Sequence, residues 1–151
     1  MRYWLIKSEP STYSIDDLKR DKQTAWEGVR NYQARNHMRA MKKGDLLLFY
    51  HSSSDPLCVA GIACVVNGPH ADESQFKKSG EYFEPKATRE KPMWDCVDVG
   101  FVEKAKHPAL LADLKSDTAL SGLLLLQRGS RLSVQPVSAE HFAHIRELLS
   151  K

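Results

Sequence analysis

The chain has the sequence LLLFYHSSSDPLCVAGIACVV at residues 46–66. It contains two apolar runs of strand length, residues 46–50 and 58–66, separated by a polar loop over residues 52–56. Short apolar runs bounded by serine, aspartate and proline are typical of β-strands, and a short polar connection allows two such strands to pair in antiparallel orientation. The stretch therefore predicts an antiparallel pair of strands.

Further elements are predicted on both sides of this pair. The additional strands are predicted at residues 3–6, 94–103 and 131–135. Three helices are predicted to begin after Ser14, Asn31 and Ser138, and the first of them to end near Arg20. Two more helices are predicted over residues 109–115 and 120–126. Serine and asparagine are common helix caps, and turn-rich residues 67–93 predict a long loop with short structured pieces. Strands spread among helices indicate the α+β class, as a curved sheet or small barrel edged by helices.

Composition limits the class of protein. A chain of 151 residues suits one domain, and its 42% hydrophobic and 27% charged residues exclude a disordered or fibrous protein. The net charge of +3 excludes a polycationic nucleic-acid coat but allows a local basic patch. Three cysteines argue against a disulfide framework. With no signal-peptide pattern and no membrane-spanning run, we expect a cytoplasmic protein that does not enter a membrane.

The segment WEGVRNYQARN, residues 26–36, combines features of a binding site. Trp26 precedes a glycine turn and a helix start at Asn31, with Arg30 and Arg35 on either side. Backbone N–H groups at a helix start favour a phosphate, an indole can stack on a base, and an amide can read a base edge. The residue types alone favour the simpler interpretation of a core tryptophan, a capping asparagine and solvated arginines, because large aromatic residues are usually structural.

Other candidate sites carry less information. Lys7, Ser8 and Glu9 end the first predicted strand ahead of a rigid proline, which is a common place for a site and also for an ordinary edge turn. His51 follows an apolar strand in the same way. The cysteines and histidines show no metal-ligand spacing, and we find neither a phosphate-binding glycine loop nor a nucleophile elbow. The residues therefore predict no metal, no cofactor and no catalytic group.

Many short segments of the chain resemble the EVE domain, a member of the PUA-like superfamily that includes the thymocyte nuclear protein family. The matching segments are YWLIKSEP (3–10), WEGVRNYQARN (26–36), MKKGD (41–45), FYHS (49–52), GIA (61–63), YFEPK (82–86), WDCVDV (94–99) and LSVQPV (132–137). They run in order over nearly the full chain, and residues 71–79 are the least similar stretch. The resemblance therefore covers residues 1–151 as a single EVE domain.

The resemblance implies a PUA-like pseudo-barrel of mixed strands with helices packed outside. It also implies a reader of DNA or RNA that accepts a modified base, either a modified cytosine or a methylated adenine, in an aromatic-walled pocket. Because other PUA-like domains occur attached to modification enzymes, a nucleic-acid-modifying or nuclease partner is a further expectation. The functional alternatives are an enzyme acting on modified nucleic acid, with Glu9 and Glu27 as acid–base candidates, and a protein-interaction module with a vestigial pocket.

The resemblance also assigns roles to individual residues. Trp26 corresponds to a cage aromatic, and Lys7, Ser8 and Asn31 are expected to line the same pocket. The full set of expected ligand-binding residues is Lys7, Ser8, Trp26, Asn31, Tyr32, Phe49, His51 and Trp94. The cations expected to hold the surrounding phosphates are Arg30, Arg35, Arg39 and Lys42.

Overall fold

The computed structural model describes residues 1–151 and contains a mixed sheet flanked by helices. The strands are β1 (Tyr3–Ser8), β2 (Gln23–Ala25), β3 (Leu46–His51), β4 (Cys58–Ala71), β5 (Asp95–Leu110) and β6 (Val134–Val137). The α-helices are α1 (Ile15–Asp21), α2 (Tyr32–Ala40), α3 (Leu111–Ser116) and α4 (Ala139–Leu149). Short 3-10 turns occupy Glu73–Phe76, Thr118–Leu120 and Leu124–Leu126.

The six strands lie in the order β2-β5-β4-β3-β1-β6, and the sheet does not close on itself. β1 and β3 are parallel, whereas the other neighbouring strands are antiparallel. The antiparallel pairing of β3 with β4, predicted from residues 46–66, is confirmed. The predicted α+β class is confirmed as well, with helices packed against both faces of a mixed sheet.

Successive side chains of β3 lie alternately in two hydrophobic clusters, one on each face of the sheet. Leu47 and Phe49 belong to a cluster that α1 and α2 cover, and Leu48 and Tyr50 belong to a second cluster that α3 and α4 cover. All four side chains are buried, because successive residues of a strand point to opposite faces and both faces carry helices. A continuous apolar run is therefore what this central strand requires.

The predicted helix starts are confirmed by their caps. The Ser14 hydroxyl accepts the Asp17 N–H while the Asp17 carboxylate accepts the Ser14 N–H, which forms a capping box at α1. The Asn31 side chain accepts the Ala34 N–H at α2, and Ser138 caps α4 in the same way. Each cap satisfies a backbone N–H that has no partner inside its helix.

Two segments differ from their predicted structure. β4 continues to Ala71 through Asn67–Pro69, the start of the loop predicted over residues 67–93, because the register shifts there and a bulge accommodates a proline that cannot donate a hydrogen bond. Residues 120–126 do not form a helix, because one 3-10 turn ends at Leu120 and a second covers Leu124–Leu126. Gly122 lies between the turns with φ of +90°, which a continuous helix does not allow.

The remaining differences concern strand ends. Ala109 and Leu110 complete β5, so α3 begins two residues later than predicted, and β6 begins at Val134 rather than at Arg131. The three-residue strand β2 was not predicted at all. Every helix in the structure is too short or too polar to cross a bilayer.

Candidate functional site

A cavity of about 510 Å³ opens beside the end of β1, the segment that follows β2, and the loop at residues 81–82. Its lining residues are Lys7, Ser8, Glu9, Thr12, Tyr13, Thr24, Ala25, Trp26, Glu27, Gly28, Val29, Arg30, Glu81, Tyr82 and Ser133. The volume falls within the range of roughly 300–1,000 Å³ that is usual for small-molecule pockets. Of the expected ligand-binding residues, Lys7, Ser8 and Trp26 come together here.

Trp26 forms a half-buried wall of this cavity. Its backbone N–H donates to the Val97 carbonyl at 2.8 Å, which ties the segment after β2 to β5. The indole makes edge-to-face contacts with Tyr13 and Phe49, at centroid separations of 6.1 and 5.6 Å. Because Phe49 is fully buried, it supports the indole from within the core and does not reach the cavity. The ring of Trp26 is thus held in place while it lines open space.

Gly28 allows the second aromatic wall to approach. Its φ of +91° lies in the left-handed region, and a β-carbon there would come within 2.7 Å of the Tyr82 ring. Tyr82 is 40% exposed and lines the cavity together with Trp26 and Tyr13. Only glycine fits both the backbone conformation and the ring contact. Three aromatic side chains, far apart in sequence, therefore surround the same space.

Asp72 holds the part of the cavity wall formed by residues 28–30 in place. Its completely buried carboxylate accepts the Gly28 N–H at 2.8 Å, the Arg30 guanidinium at 3.0 Å, and both the N–H and the hydroxyl of Ser74. Burial opposes the charge of Asp72, but these hydrogen bonds outweigh it and hold the pKa of the carboxyl below its usual range. The wall formed by residues 28–30 is therefore attached rigidly to the start of the 73–76 turn.

The polar lining contains one unpaired cation. Lys7 is half-buried and makes no ion pair, and burial lowers its pKa. Ser8 donates its hydroxyl hydrogen to the Tyr13 carbonyl, so its oxygen lone pairs stay available to a donor. Exposed carboxylates of Glu9, Glu27 and Glu81 complete the charged groups. A ligand with both acceptors and donors on one edge matches this lining.

Five of the expected ligand-binding residues lie outside the cavity: Asn31, Tyr32, Phe49, His51 and Trp94. Asn31 caps α2, and Tyr32 stacks on buried Trp94 at 4.9 Å. The Nε2 of His51 accepts the Ile15 N–H at 3.1 Å, and the ring lines a different pocket. The structure thus gives these side chains capping and packing roles, and a ligand role for them stays a prediction.

Three of the four cations expected to hold phosphates are engaged within the protein. Arg30 donates to Asp72, to the Ser74 hydroxyl and to the carbonyls of Val29 and Tyr82. Arg35 donates to the Met93 carbonyl and to the side chain of its neighbour Asn36. Arg39 pairs with Asp95. Lys42 alone is exposed without an ion pair. Phosphate contacts from this set stay a prediction.

Sequence reasoning missed two aromatic residues of the site, Tyr13 and Tyr82. Tyr13 follows the end of the first predicted strand, where only the polar residues suggest a site. Tyr82 lies in the long loop predicted over residues 67–93. The usable signal for Tyr82 was its place in the family-like segment YFEPK. Nothing local identifies Tyr13, because its proximity to Trp26 arises only from the packing of the loop before α1.

The whole chain is similar to known proteins in both sequence and structure. The family model described as EVE domain matches residues 2–148. Human thymocyte nuclear protein 1 is 39% identical over an alignment that covers 99% of this chain and 74% of the human protein. A protein of Leishmania major superposes with a TM-score of 0.92 and 50% identity, over 99% of this chain and 94% of the other. The structure of human THYN1 protein in complex with 5-methylcytosine containing DNA superposes with a TM-score of 0.93 and 38% identity, over 100% and 99% of the two chains.

Proposed function

Because this chain belongs to the EVE domain family, we propose that it is a reader of modified DNA that accepts 5-methylcytosine in the cavity walled by Trp26. The observation that carries the proposal is the match to the human THYN1 protein, a structure that contains 5-methylcytosine DNA and covers this whole chain. The cavity supplies what such a ligand requires, namely aromatic walls, an unpaired cation and hydrogen-bonding groups.

Stacking in this cavity offsets most of the cost of flipping a base. Removing a base from its stack costs a few kcal/mol, and stacking on an aromatic side chain returns about 1–3 kcal/mol per base. Trp26, with Tyr13 and Tyr82 beside it, provides that stacking surface. Burial of one added methyl group contributes about 0.8 kcal/mol, which corresponds to roughly a fourfold preference for the methylated base. Methylation therefore tunes an affinity that stacking and DNA contacts supply.

The polar lining favours cytosine over thymine. Cytosine presents its N4 amino group as a donor, where thymine presents the O4 acceptor, and carboxylates are suitable partners for that amino group. Glu9, Glu27 and Glu81 supply carboxylates, and Lys7 supplies a donor for the cytosine O2 or N3 acceptor. An acidic lining with one cation suits a base with this mixture of donors and acceptors.

A binding competition tests the proposal directly. Duplexes of identical sequence would carry cytosine, 5-methylcytosine or N6-methyladenine at one position, with matching RNA strands measured in parallel. We expect tightest binding to the 5-methylcytosine duplex. Equal affinity for the methylated and unmethylated cytosine duplexes would overturn the proposal, and a preference for methylated adenine or for RNA would redirect it to the other ligand that the family resemblance implies.

The same samples separate a reader from an enzyme. Glu9 and Glu27 both line the cavity, so an enzyme acting on a modified base would find carboxylates there. We expect nucleosides recovered after incubation with the protein to have unchanged masses. A new or missing nucleoside mass would instead establish catalysis. A cytoplasmic location and an associated modification enzyme or nuclease stay predictions.

A further inference from the structure

The long loop over residues 77–91 supplies Glu81 and Tyr82 to the cavity lining and also carries unpaired positive charge. Lys77, Lys78, Lys86 and Lys91 are all exposed and make no ion pair. The loop's arginine, Arg89, differs from them because it pairs with Glu73 and packs over the Phe76 ring. The four lysines are therefore the free cations of this loop, which we call the lysine loop.

The lysine loop is fastened to the cavity wall. Arg30 donates to the Tyr82 carbonyl at 2.9 Å, which fixes a residue that lines the cavity together with Trp26. A turn closed by the Gly80 N–H and the Lys77 carbonyl at 2.9 Å brings Lys77 next to the cavity residues Glu81 and Tyr82. The lysines thus lie on the same loop that supplies Tyr82 to the cavity wall.

A buried amide holds the two ends of this loop together. Gln75 is fully buried, its side-chain N–H groups donate to the Asp72 and Trp94 carbonyls, and its side-chain oxygen accepts the N–H groups of Met93 and Trp94. The Gln75 carbonyl accepts the Glu84 N–H at 2.9 Å. A loop tied at its base and its middle loses little conformational freedom when a ligand binds.

The acidic residues at the cavity restrict where a phosphate chain can run. Glu9, Glu27 and Glu81 line the opening, and their exposed carboxylates repel phosphates. Most of the arginines nearby already have protein acceptors, as described above. Of the segments that line or adjoin the cavity, the lysine loop therefore offers the largest set of free cations.

We propose that the lysine loop holds the DNA backbone on either side of the flipped base, with Lys77, Lys78, Lys86 and Lys91 contacting phosphates. This inference rests on the proposed function, and it names the surface that the DNA strand follows outside the cavity. Lysine contacts with phosphates release counterions, so they make the binding constant fall with salt concentration. They carry no sequence information, so the choice of base stays with the cavity.

The test compares the salt dependence of binding between charge-neutralised variants. The double variants K77Q/K78Q and K86Q/K91Q remove the loop charges in two halves, and K106Q/K115Q is the matched control. Lys106 and Lys115 are also exposed and unpaired, but they lie on the distant end of β5 and on α3. The probe is one duplex with a single 5-methylcytosine and its unmethylated twin.

Each phosphate contact contributes about 0.9 to the slope of log binding constant against log salt concentration. We expect each loop variant to lower the magnitude of that slope by roughly 1 to 2 relative to the parent. The control variant should keep the parental slope, and all three variants should keep the parental preference for 5-methylcytosine and the parental melting temperature.

Three results test this inference and separate it from the proposed function. Parental slopes in both loop variants, in a protein that still prefers 5-methylcytosine, would overturn the lysine loop as the backbone contact. An equal decrease in the control would overturn it as well, because the effect would then be one of net charge. If the parent binds the methylated and unmethylated duplexes equally, the proposed function fails, whatever the slopes are.

Discussion

The ring of Tyr82 packs directly against the α-carbon of Gly28, so that a β-carbon at Gly28 would lie 2.7 Å from the ring. This contact joins the segment that carries Trp26 to the loop that carries Tyr82. It therefore sets the separation between two aromatic walls of the cavity.

Replacement of Gly28 by alanine should affect both stability and binding. The left-handed backbone costs a non-glycine residue about 1–2 kcal/mol, and the new methyl group must displace the Tyr82 ring. In a chain of this size, each kcal/mol lowers the melting temperature by roughly 2–4 °C. We expect a lower melting temperature and weaker binding to 5-methylcytosine DNA.

Gly44 provides the matched control for that variant. Its φ is +95°, and nothing lies within 4 Å of the place where a β-carbon would stand. Gly44→Ala should therefore lose only the stability that the left-handed backbone costs, about 1–2 kcal/mol, and should keep parental DNA binding. Equal binding losses in both variants would show that the contact between Gly28 and Tyr82 does not shape the site.

Asp72→Asn should destabilise the fold strongly. The substitution removes a buried charge that holds Gly28, Arg30 and Ser74, and it leaves the half-buried guanidinium without its ionic partner. Breaking one half of a buried pair typically costs about 3 kcal/mol or more. Denaturant unfolding measures this loss. Asp113→Asn, at an exposed carboxylate without a side-chain partner, should change stability by less than about 0.5 kcal/mol.

The fold and the helix caps could largely be predicted from the sequence, because they depend on local patterns. The apolar run 46–50, the capping residues and the stripe of Ala34 and Met38 each act within a few residues of the chain. The bulge at Gly68 and Pro69 could not be predicted, because only the pairing of β4 with β5 shows that the strand continues past them.

Only part of the candidate site could be predicted from the sequence, because residue type does not show whether a side chain lines the cavity or lies in the core. Trp26 and Trp94 are both tryptophans in family-like segments, yet one lines the cavity and the other is 4% exposed and donates its indole N–H to Glu84. Similarly, no spacing rule distinguishes an arginine that is free to meet a phosphate from Arg30, whose partner Asp72 lies 42 residues away.

His51 should make the fold less stable in mild acid. Burial lowers the pKa of His51, an effect that nearby Asp16 opposes and Lys104 reinforces, and its Nε2 accepts the Ile15 N–H. The unfolded chain, with a histidine pKa near 6.5, binds the proton more readily than the folded chain. Stability from this group is therefore present above pH 6.5 and is lost as the pH falls through the folded value.

The variant His51→Gln isolates that contribution. The glutamine oxygen can accept the Ile15 N–H but does not titrate, so the decrease in unfolding free energy below pH 6.5 should be smaller than in the parent. Burial also lowers the pKa of His37, which leaves part of the decrease in place. Identical pH profiles for the parent and the variant would show that His51 is not the titrating group.

We propose that the indole of Trp26 holds the methylated base, so the binding constants for one 5-methylcytosine duplex and its unmethylated twin should both depend on that side chain. In the parent we expect roughly a fourfold preference for the methylated duplex. Trp26→Ala should weaken binding to that duplex by roughly 5- to 150-fold, the equivalent of about 1–3 kcal/mol of stacking, and abolish the preference. Leu57→Ala, which removes an exposed apolar side chain outside the cavity, should leave both constants unchanged. Parental affinity and preference in Trp26→Ala would contradict the claim.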